Sequence, residues 1–295
     1  MALVPTLPRV TALVLVHESV RHLAAAVRAL RASDGAEVEV VVIDNGSSAP
    51  AREAVREVVA AAGAGVSLLT LPENLGYAGG NAVGIARALA AGASWVLVVN
   101  DDVTVSAGAV ARLAAGLAAD PGAAAAAPTV RHAAAPERIW WAGGTVDRVR
   151  GIGTHRTDAT DAVGAPRDVG FLNGCAILFR AEALRVLGAF DPSYFMYGED
   201  VEWSLRAARA GWRLLHVPEA VVAHDVPYPE PPPAAWKIRL RDRNRRRMVR
   251  SHFRAGERVW FVCWFYPTRL LRWAGYLVRG DGARARAILA GMQER

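Results

Sequence analysis

The first hundred residues alternate continuous apolar runs with stretches of helical periodicity. Apolar runs of strand length occupy 10–16, 38–43, 66–71 and 95–99. Apolar side chains recur at three- and four-residue spacing between them, which predicts helices over 19–31, over 51–62 and from the 74–81 loop towards residue 91. Strands that are apolar throughout are buried on both faces. The pattern therefore predicts an α/β fold with a mainly parallel, doubly wound sheet.

The pattern beyond residue 105 predicts further elements. Helices are expected over 109–118, from 181, and from about 200 to 210; strands are expected after 122, over 171–179, and as one or two short strands between 212 and 224. The polar stretch 140–167 indicates a long excursion from the sheet. A proline-rich run at 227–233 ends the globular body, because proline continues neither a helix nor a central strand. We therefore divide the chain into three segments, residues 1–105, 106–235 and 236–295.

Polar side chains follow two of the predicted strands at the point where each strand ends. In a doubly wound sheet, ligands bind beyond the carboxyl ends of the strands. Asp101 and Asp102 stand there, and their carboxylate oxygens suit magnesium or manganese bound together with substrate phosphates. The alternative is that they cap a helix beginning near Ser106. Asp44 closes the second strand, where it either accepts an N–H group from a ligand ring or forms an Asx-turn.

Three further features carry candidate chemistry. The glycine-rich loop 74–81 opens a helix and offers backbone N–H groups to a phosphate, although it lacks the GxGxxG and P-loop patterns. Glu199 and Asp200 stand among aromatic residues, which favours a carboxyl pKa raised into the range of a general base. Their alternative role is to stabilise a helix N-terminus. His224 ends a predicted strand and is either a ligand or a structural histidine.

The composition indicates one large α/β domain or two small ones: 295 residues, 31.5 kDa and 53% apolar. The net charge of +7 is unevenly distributed. Sixteen basic and four acidic residues follow residue 235, whereas 1–235 carries nineteen basic and twenty-four acidic residues. The acidic body disfavours nucleic acid as a partner. The basic tail, with the aromatic run 260–266, predicts a peripheral membrane contact through 237–276; packing on the body and a homodimer contact are the alternatives.

Two cysteines, Cys175 and Cys263, are too few for a disulfide framework or a four-thiolate zinc site. The N-terminus lacks a charged region followed by an apolar core, and no run of about 20 apolar residues is present. We therefore expect a cytoplasmic protein. The predicted membrane contact would place it peripherally at the inner face of the cell membrane.

Taken in order, these segments resemble the inverting nucleotide-sugar glycosyltransferases of family 2, which have the GT-A fold. Within that family the chain is most similar to the rhamnosyltransferase-like and galactofuranosyltransferase-like branch. The resemblance covers about 10–225 and rests on VIDNGSS (42–48), NLGYAGGN (74–81), VVNDD (98–102), FDPSYFMYGEDVEWSLR (190–206), AGWRLLHVPEA (210–220) and His224. The turn after the first strand, His17-Glu18-Ser19, departs from the family pattern, so its nucleotide contacts are not carried over.

The resemblance implies a role for each matching residue. Asp200 would be the general base, with Glu199 beside it. Asp102 and His224 would hold the divalent metal, Mg²⁺ or Mn²⁺. The residues that bind the nucleotide sugar would be Asp44 at the nucleobase, Asp101 near the ribose or diphosphate, and Asn45, Asn74, Gly76 and Asn81 around the nucleotide loop.

The resemblance also implies a reaction. A sugar, first of all L-rhamnose from dTDP-rhamnose, would move with inversion to a hydroxyl of a glycan, a lipid-linked glycan or a small molecule, in cell-wall, polysaccharide or natural-product glycosylation. Residues 1–105 would bind the donor, and residues 106–235 would bind the acceptor and catalyse the transfer. A nucleotidyltransferase is one alternative, disfavoured because no basic phosphate loop follows the first strand. A non-catalytic nucleotide-sugar-binding partner subunit is another, disfavoured by the presence of Asp102, Asp200 and His224.

Overall fold

A computed structural model describes residues 7–229 and 231–294. Its strands are β1 (Arg9–Val16), β2 (Glu37–Asn45), β3 (Val66–Leu71), β4 (Trp95–Asn100), β5 (Val103–Val105), β6 (Ala123–His132), β7 (Ala135–Trp141), β8 (Gly144–Asp147), β9 (Ile152–His155), β10 (Arg167–Asp168), β11 (Ala176–Arg180) and β12 (Arg213–His224). Its helices are α1 (Leu23–Arg31), α2 (Ala49–Ala62), α3 (Gly76–Ala90), α4 (Ala109–Ala118), α5 (Ala181–Leu187), α6 (Glu199–Arg209), α7 (Ala235–His252), α8 (Ala255–Val278) and α9 (Gly282–Gln293).

Ten of the strands form one sheet in the order β10-β12-β6-β11-β4-β1-β2-β3, with β5 paired to β12 and β7 paired to β6, and β8 and β9 form a separate antiparallel hairpin. The β4-β1-β2-β3 block is parallel, as is the β6–β12 pair. Strand β11 lies antiparallel between β4 and β6. The mainly parallel sheet predicted from the apolar runs is thus confirmed. In the parallel block Val16 pairs with Asp44, and Leu15 pairs with Asn100, so both polar clusters lie at one edge of the sheet.

Alanine forms a strand where its intrinsic preference is helical. Residues 123–127 are all alanine and fully buried in β6, between β11 and β12. Alanine is the best helix former, but these positions lie between two hydrogen-bonded neighbours in the middle of the sheet. Pairing within the sheet therefore overrides the local preference, in agreement with the strand expected after residue 122.

Two predicted boundaries were wrong. Helix α1 begins at Leu23 rather than at residue 19, because Glu18 has a φ of 64° and the chain is still turning there. Strand β11 begins at Ala176 rather than at 171, because residues 171–175 turn across the end of the sheet instead of pairing within it. The expected short strands between 212 and 224 are one continuous strand, β12.

The last three helices form the predicted C-terminal extension. Phe261 and Phe265 of α8 are buried in the main hydrophobic core. Asp242 of α7 and Arg269 of α8 form a buried ion pair with a 2.8 Å contact. The extension therefore packs on the body through apolar and charged contacts alike. Among residues 7–229 and 231–294, no helix combines the length and apolar character required to cross a bilayer.

The division of the chain into three segments stays a prediction. The first two segments, which meet at residue 105, both contribute strands to the same sheet, and the helical extension begins at α7. Residues 1–6, 230 and 295, which belong to these segments, lie outside the described residues.

Candidate active site

Asp44, the predicted nucleobase contact, is fully buried at the end of β2. Its Oδ1 accepts the Ser47 N–H at 3.0 Å, and its Oδ2 accepts Arg52 Nε at 2.9 Å. Burial alone would raise the pKa of Asp44, but the Ser47 hydrogen bond and the Arg52 guanidinium hold it below its usual value. The carboxylate is therefore ionised and fixes the turn after β2. A direct contact with a nucleobase requires Arg52 to move aside.

Asn45, Asn74 and Gly76 hold the glycine-rich loop against the end of β2. Asn45 Nδ2 donates to Asn74 Oδ1 at 3.0 Å and to the Gly76 carbonyl at 3.1 Å, while Asn45 Oδ1 accepts the Leu75 N–H. Asn74 Oδ1 also accepts the Gly76 N–H at 2.8 Å. These bonds use backbone N–H groups at the start of α3. The loop is thus organised by its own side chains, and Asn81, buried in α3, donates to the Tyr77 carbonyl.

Asp102 and His224 are brought together by the pairing of β5 with β12. In that register His224 lies opposite Val103, the residue after Asp102. His224 Nε2 is 3.1 Å from Asp102 Oδ1, although the two atoms lack the alignment of a hydrogen bond. Burial opposes ionisation of Asp102, but the neighbouring His224 ring lowers the carboxyl pKa below its usual value. For Asp101, burial and then the charge of Asp102 raise the pKa to about 7.

The Asp102–His224 pair fits a divalent cation. Two ligands in adjacent positions of an octahedron, each about 2.1 Å from the metal, lie about 3.0 Å apart, which matches the observed separation. A carboxylate oxygen and an imidazole nitrogen suit manganese as well as magnesium. Within the described chain, no group of three or more histidine, cysteine or acidic side chains is arranged around one point. Asp102 and His224 are therefore two candidate ligands, and the metal site stays a prediction.

Glu199 and Asp200 occupy the first turn of α6, where Glu199 is buried and Asp200 is half-buried. Asp200 Oδ2 accepts the Gly174 N–H at 2.9 Å, and Oδ1 accepts the Val201 N–H at 2.8 Å. Burial raises the pKa of Asp200 above its usual value. Burial and then the charge of Asp200 raise the pKa of Glu199 to about 8. Because only Asp200 holds two N–H donors, we assign the charge of the pair to Asp200 and the proton to Glu199.

The turn 171–175 joins the acid pair of α6 to the end of β4. Asn100 N donates to the Cys175 carbonyl at 2.9 Å, and Gly174 N donates to Asp200. Burial, then the charges of Asp102 and Asp200, raise the pKa of the Cys175 thiol well above its usual value. The predicted metal ligand and the predicted base therefore flank one short turn. No sequence motif marked Gly174, because its role is played by its backbone N–H.

The turn before α6 is strained and is held by α3. Phe195, Tyr197 and Gly198 have φ values of 61°, 75° and 86°, and positive φ is unfavourable for the two aromatic residues. The Phe195 carbonyl accepts the Ala78 N–H at 3.0 Å. A Cβ atom on Gly76 would overlap that same carbonyl, so only glycine permits this approach. The start of α3, which follows the glycine-rich loop, therefore contacts the turn that leads into the acid pair of α6.

Trp140, at the start of the 140–167 excursion, lies against the predicted metal ligand His224. Trp140 makes edge-to-face contacts with His224 and with His155, at centroid distances of 4.8 and 4.9 Å. Trp140 and His155 also line a cleft of about 530 Å³, which Arg138 and Tyr228 border on the outside. Sequence reasoning identified this excursion but none of these residues. Their polar and aromatic types were visible, but Trp140 reaches His224 because β7 pairs with β6, which in turn pairs with β12.

Residues 8–249 match the family model described as glycosyltransferase like family 2. The chain belongs to this family. The family-2 chain is 32% identical over 209 residues to the N-acetylglucosaminyl-diphospho-decaprenol L-rhamnosyltransferase of Mycobacterium tuberculosis, covering 63% of this chain and 66% of the relative. It is 31% identical over 206 residues to galactofuranosyltransferase GlfT1 of Mycolicibacterium smegmatis, covering 68% and 66%. The chain thus spans just under two thirds of the length of these relatives.

Solved structures share the fold at low identity. GalNAc-T7 with UDP, GalNAc and Mn²⁺ aligns with a TM-score of 0.65 and 18% identity, covering 83% of this chain and 48% of that chain. The mannosyltransferase PcManGT of Pyrobaculum calidifontis, in complex with GDP-Man and Mn²⁺, aligns with a TM-score of 0.57 and 18% identity, covering 97% and 74%. The family-2 chain therefore has the predicted GT-A fold, and the predicted rhamnosyl- and galactofuranosyl-transferase branch is confirmed by the two relatives.

Proposed function

We propose that the protein is a metal-dependent, inverting glycosyltransferase with Asp200 as its general base. The observation that carries the proposal is the Gly174 N–H bond to Asp200, which fixes a half-buried carboxylate at the turn that is also bonded to Asn100 at the end of β4. A base and a cation site on either side of one turn suit the transfer of a sugar from a diphosphate to a hydroxyl group. Membership of glycosyltransferase-like family 2 supports this hypothesis over a nucleotidyltransferase.

Asp200 takes the proton of the acceptor hydroxyl as that oxygen attacks the anomeric carbon. The new bond joins the acceptor oxygen to the carbon, and the electrons of the carbon–oxygen bond to the diphosphate leave with the nucleoside diphosphate. A single displacement from the face opposite the leaving group inverts the anomeric configuration. Each oxygen of Asp200 accepts only one described backbone bond, so a lone pair remains for the hydroxyl. Glu199, which keeps its proton, adds no second charge beside the base.

Asp102 and His224 would hold the divalent cation, Mn²⁺ or Mg²⁺. When bound, the cation stabilises the negative charge that develops on the departing diphosphate. Trp140 packs edge-on against His224 and fixes the plane of its ring. Asp101 would lie near the ribose or diphosphate, as the resemblance implies. Asp44, Asn45, Asn74, Gly76 and Asn81 shape the nucleotide side.

The donor and acceptor are proposed from the relatives. One relative is named as an L-rhamnosyltransferase acting on an N-acetylglucosaminyl-diphospho-decaprenol, so dTDP-L-rhamnose and a diphospho-prenol glycan are the first substrates to test. The other is named as a galactofuranosyltransferase, which makes UDP-galactofuranose the second donor. The cleft beside Trp140 and His155 is lined by Glu137 as well as Arg138, so it offers aromatic rings and both signs of charge to an acceptor. Glycan assembly at the cytoplasmic face of the membrane agrees with these substrates.

The test is a donor panel with a short-chain N-acetylglucosaminyl-diphospho-prenol acceptor and added Mn²⁺. We expect release of one nucleoside diphosphate together with a glycosylated acceptor, and an inverted anomeric configuration by NMR. Asp200→Asn should bind the donor without forming product, whereas Asp168→Asn, an exposed acid outside the site, should behave as wild type. Donor binding without turnover in the wild type would favour the non-catalytic partner subunit. If the product kept the anomeric configuration of the donor, Asp200 could not be the base of a single displacement.

A further inference from the structure

Helix α8 carries an apolar stripe that faces away from the protein. Its opposite side packs into the core through Phe261 and Phe265. At about 100° per residue, the outward positions fall within an arc of about 120° along the helix. We define the outer stripe as Val259, Trp260, Cys263, Leu270, Leu271 and Val278, which are all exposed. Trp260 is 67% exposed, Leu271 75% and Val278 89%, which is unusual for such side chains on a water-facing helix.

The charges around the outer stripe are positive. Arg254 and Arg258 are exposed at one end of α8 and Arg279 at the other. The acidic side chains nearby are already engaged: Glu257 bonds the Arg254 N–H, and Asp281 bonds Arg284. An apolar stripe of this length with arginine at both ends is complementary to the surface of an anionic bilayer.

Part of the arginine-rich run of α7 packs on the body, which was the alternative to the predicted membrane contact. Arg243 and Arg247 donate to the Ser193 carbonyl, and Arg246 donates to the Gly291 carbonyl. Arg245 is buried beside Asp242. Much of the positive charge of α7 is therefore used inside the protein. We therefore restrict the predicted membrane contact, which covered residues 237–276, to the outer face of α8.

A second copy of the chain fits the outer stripe less well. Parallel and antiparallel pairings of two α8 helices would both place arginine ends against arginine ends. The carboxylates of α8 and of the α8–α9 turn are engaged elsewhere, so none is left to separate these charges. Anionic lipid supplies the negative charge that a second copy lacks.

We propose that α8 lies flat on an anionic lipid surface, with the outer stripe at the boundary between head groups and acyl chains. The inner side of α8 contacts the β8–β9 hairpin: the Arg150 guanidinium lies 5.7 Å from the Trp264 ring centroid, and Gly151 adjoins Phe261. The same hairpin ends at His155, which lines the cleft assigned to the acceptor. The lipid surface would thus lie next to the acceptor side of the molecule.

Cys263 provides a probe within the outer stripe. It is exposed, whereas Cys175 is buried, so a thiol-reactive NBD fluorophore should label Cys263 selectively. We expect a blue shift and increased emission with vesicles of phosphatidylglycerol and phosphatidylcholine, and a much smaller change with phosphatidylcholine alone. Raised salt should weaken the response, because it screens the arginine–lipid attraction.

Two variants test whether lipid binding depends on the outer stripe or on exposed apolar side chains in general. Leu271→Glu should lower partitioning onto anionic vesicles in a flotation assay at least about tenfold. The substitution removes an apolar side chain that would enter the lipid and adds a negative charge that anionic head groups repel. Val186→Glu alters a valine of similar exposure (68%) on α5 and should leave partitioning unchanged. Equal partitioning of the two variants, or an unchanged spectrum with anionic vesicles, would overturn the proposal.

Sedimentation velocity without lipid tests the second copy. A concentration-dependent dimer that Leu271→Glu abolishes, combined with no vesicle response, would assign the outer stripe to self-association instead. Circular dichroism of each variant reports whether the fold is kept. Because these measurements require no sugar transfer, their failure would leave the proposed enzyme activity standing, and the converse also holds.

Discussion

Asn244 Nδ2 of α7 lies 2.8 Å from the carbonyl oxygen of Tyr197, two residues before Glu199. The same nitrogen lies 2.8 Å from the carbonyls of Tyr194 and Met196. One amide from the C-terminal extension thus holds the strained turn that starts α6. The extension is therefore part of the framework that positions the acid pair, in addition to carrying the outer stripe.

Asn244→Ala should reduce transfer through displacement of Asp200. The substitution leaves carbonyls of the 194–197 turn without a donor, which costs about 1–3 kcal/mol of unfolding free energy. We expect kcat to fall at least tenfold while the KM for the donor changes little, because the nucleotide loop has its own hydrogen bonds. Arg250→Ala, on the exposed side of α7, is the matched control. Steady-state kinetics and urea unfolding check the prediction, and an unchanged kcat would contradict it.

Asp200→Asn should lower kcat by about 10²–10⁴. The amide oxygen still accepts a backbone N–H, so the fold and the donor site are kept, but the amide cannot take the acceptor proton. Single-turnover measurement of product formation, with donor binding measured in parallel, checks this. Asp168→Asn serves as the control for loss of one negative charge. A variant that keeps its rate would place the base elsewhere.

The pH dependence of stability should reveal the proton on Glu199. Its pKa is 4.5 in an exposed setting and about 8 in the folded protein. The pair's stabilising contribution is complete below about pH 4.5 and declines as pH rises through about 8, since the unfolded chain releases the proton first. In Glu199→Gln the decline of the unfolding free energy with pH should largely disappear. The difference between the two proteins should be on the order of a few kcal/mol. Urea unfolding of both proteins at pH 5 and pH 9 measures it; parallel pH profiles would contradict it.

Asp102→Asn should abolish metal-dependent nucleotide binding. A nucleoside diphosphate that binds only the folded protein raises the melting temperature by mass action. We expect that rise in the wild type with Mn²⁺ and its loss after addition of a chelator. In Asp102→Asn and His224→Ala the Mn²⁺-dependent rise should be lost, and Asp168→Asn should retain it. A rise that persists in both variants would remove the pair from the cation site.

The local pattern of apolar residues was enough to predict strands β1 to β4 of the sheet. Strands β1, β2 and β4 are largely buried on both faces, so their sequences are mostly apolar, and the polar residues that follow β2 and β4 mark where those strands end. Strand β3, at the edge of the sheet, is half-buried and less regular in its pattern. Because parallel strands share a direction, their ends meet at one edge, and this brings Asp44 and Asn100 to the same side. The resemblance to family 2 then supplied roles for residues whose spacing left alternatives open.

The sequence by itself determined the strands and helices of the first hundred residues and the acids that follow those strands, since helical and strand periodicity are set by neighbouring residues. Only the tertiary structure decided which side chains meet. The Gly174 bond to Asp200 spans 26 residues, and the Trp140 contact with His224 spans 84. Asp44 turned out to be fully buried against Arg52, and the exposed face of α8 was decided by how that helix docks. Such contacts depend on how distant elements pack, which no local pattern records.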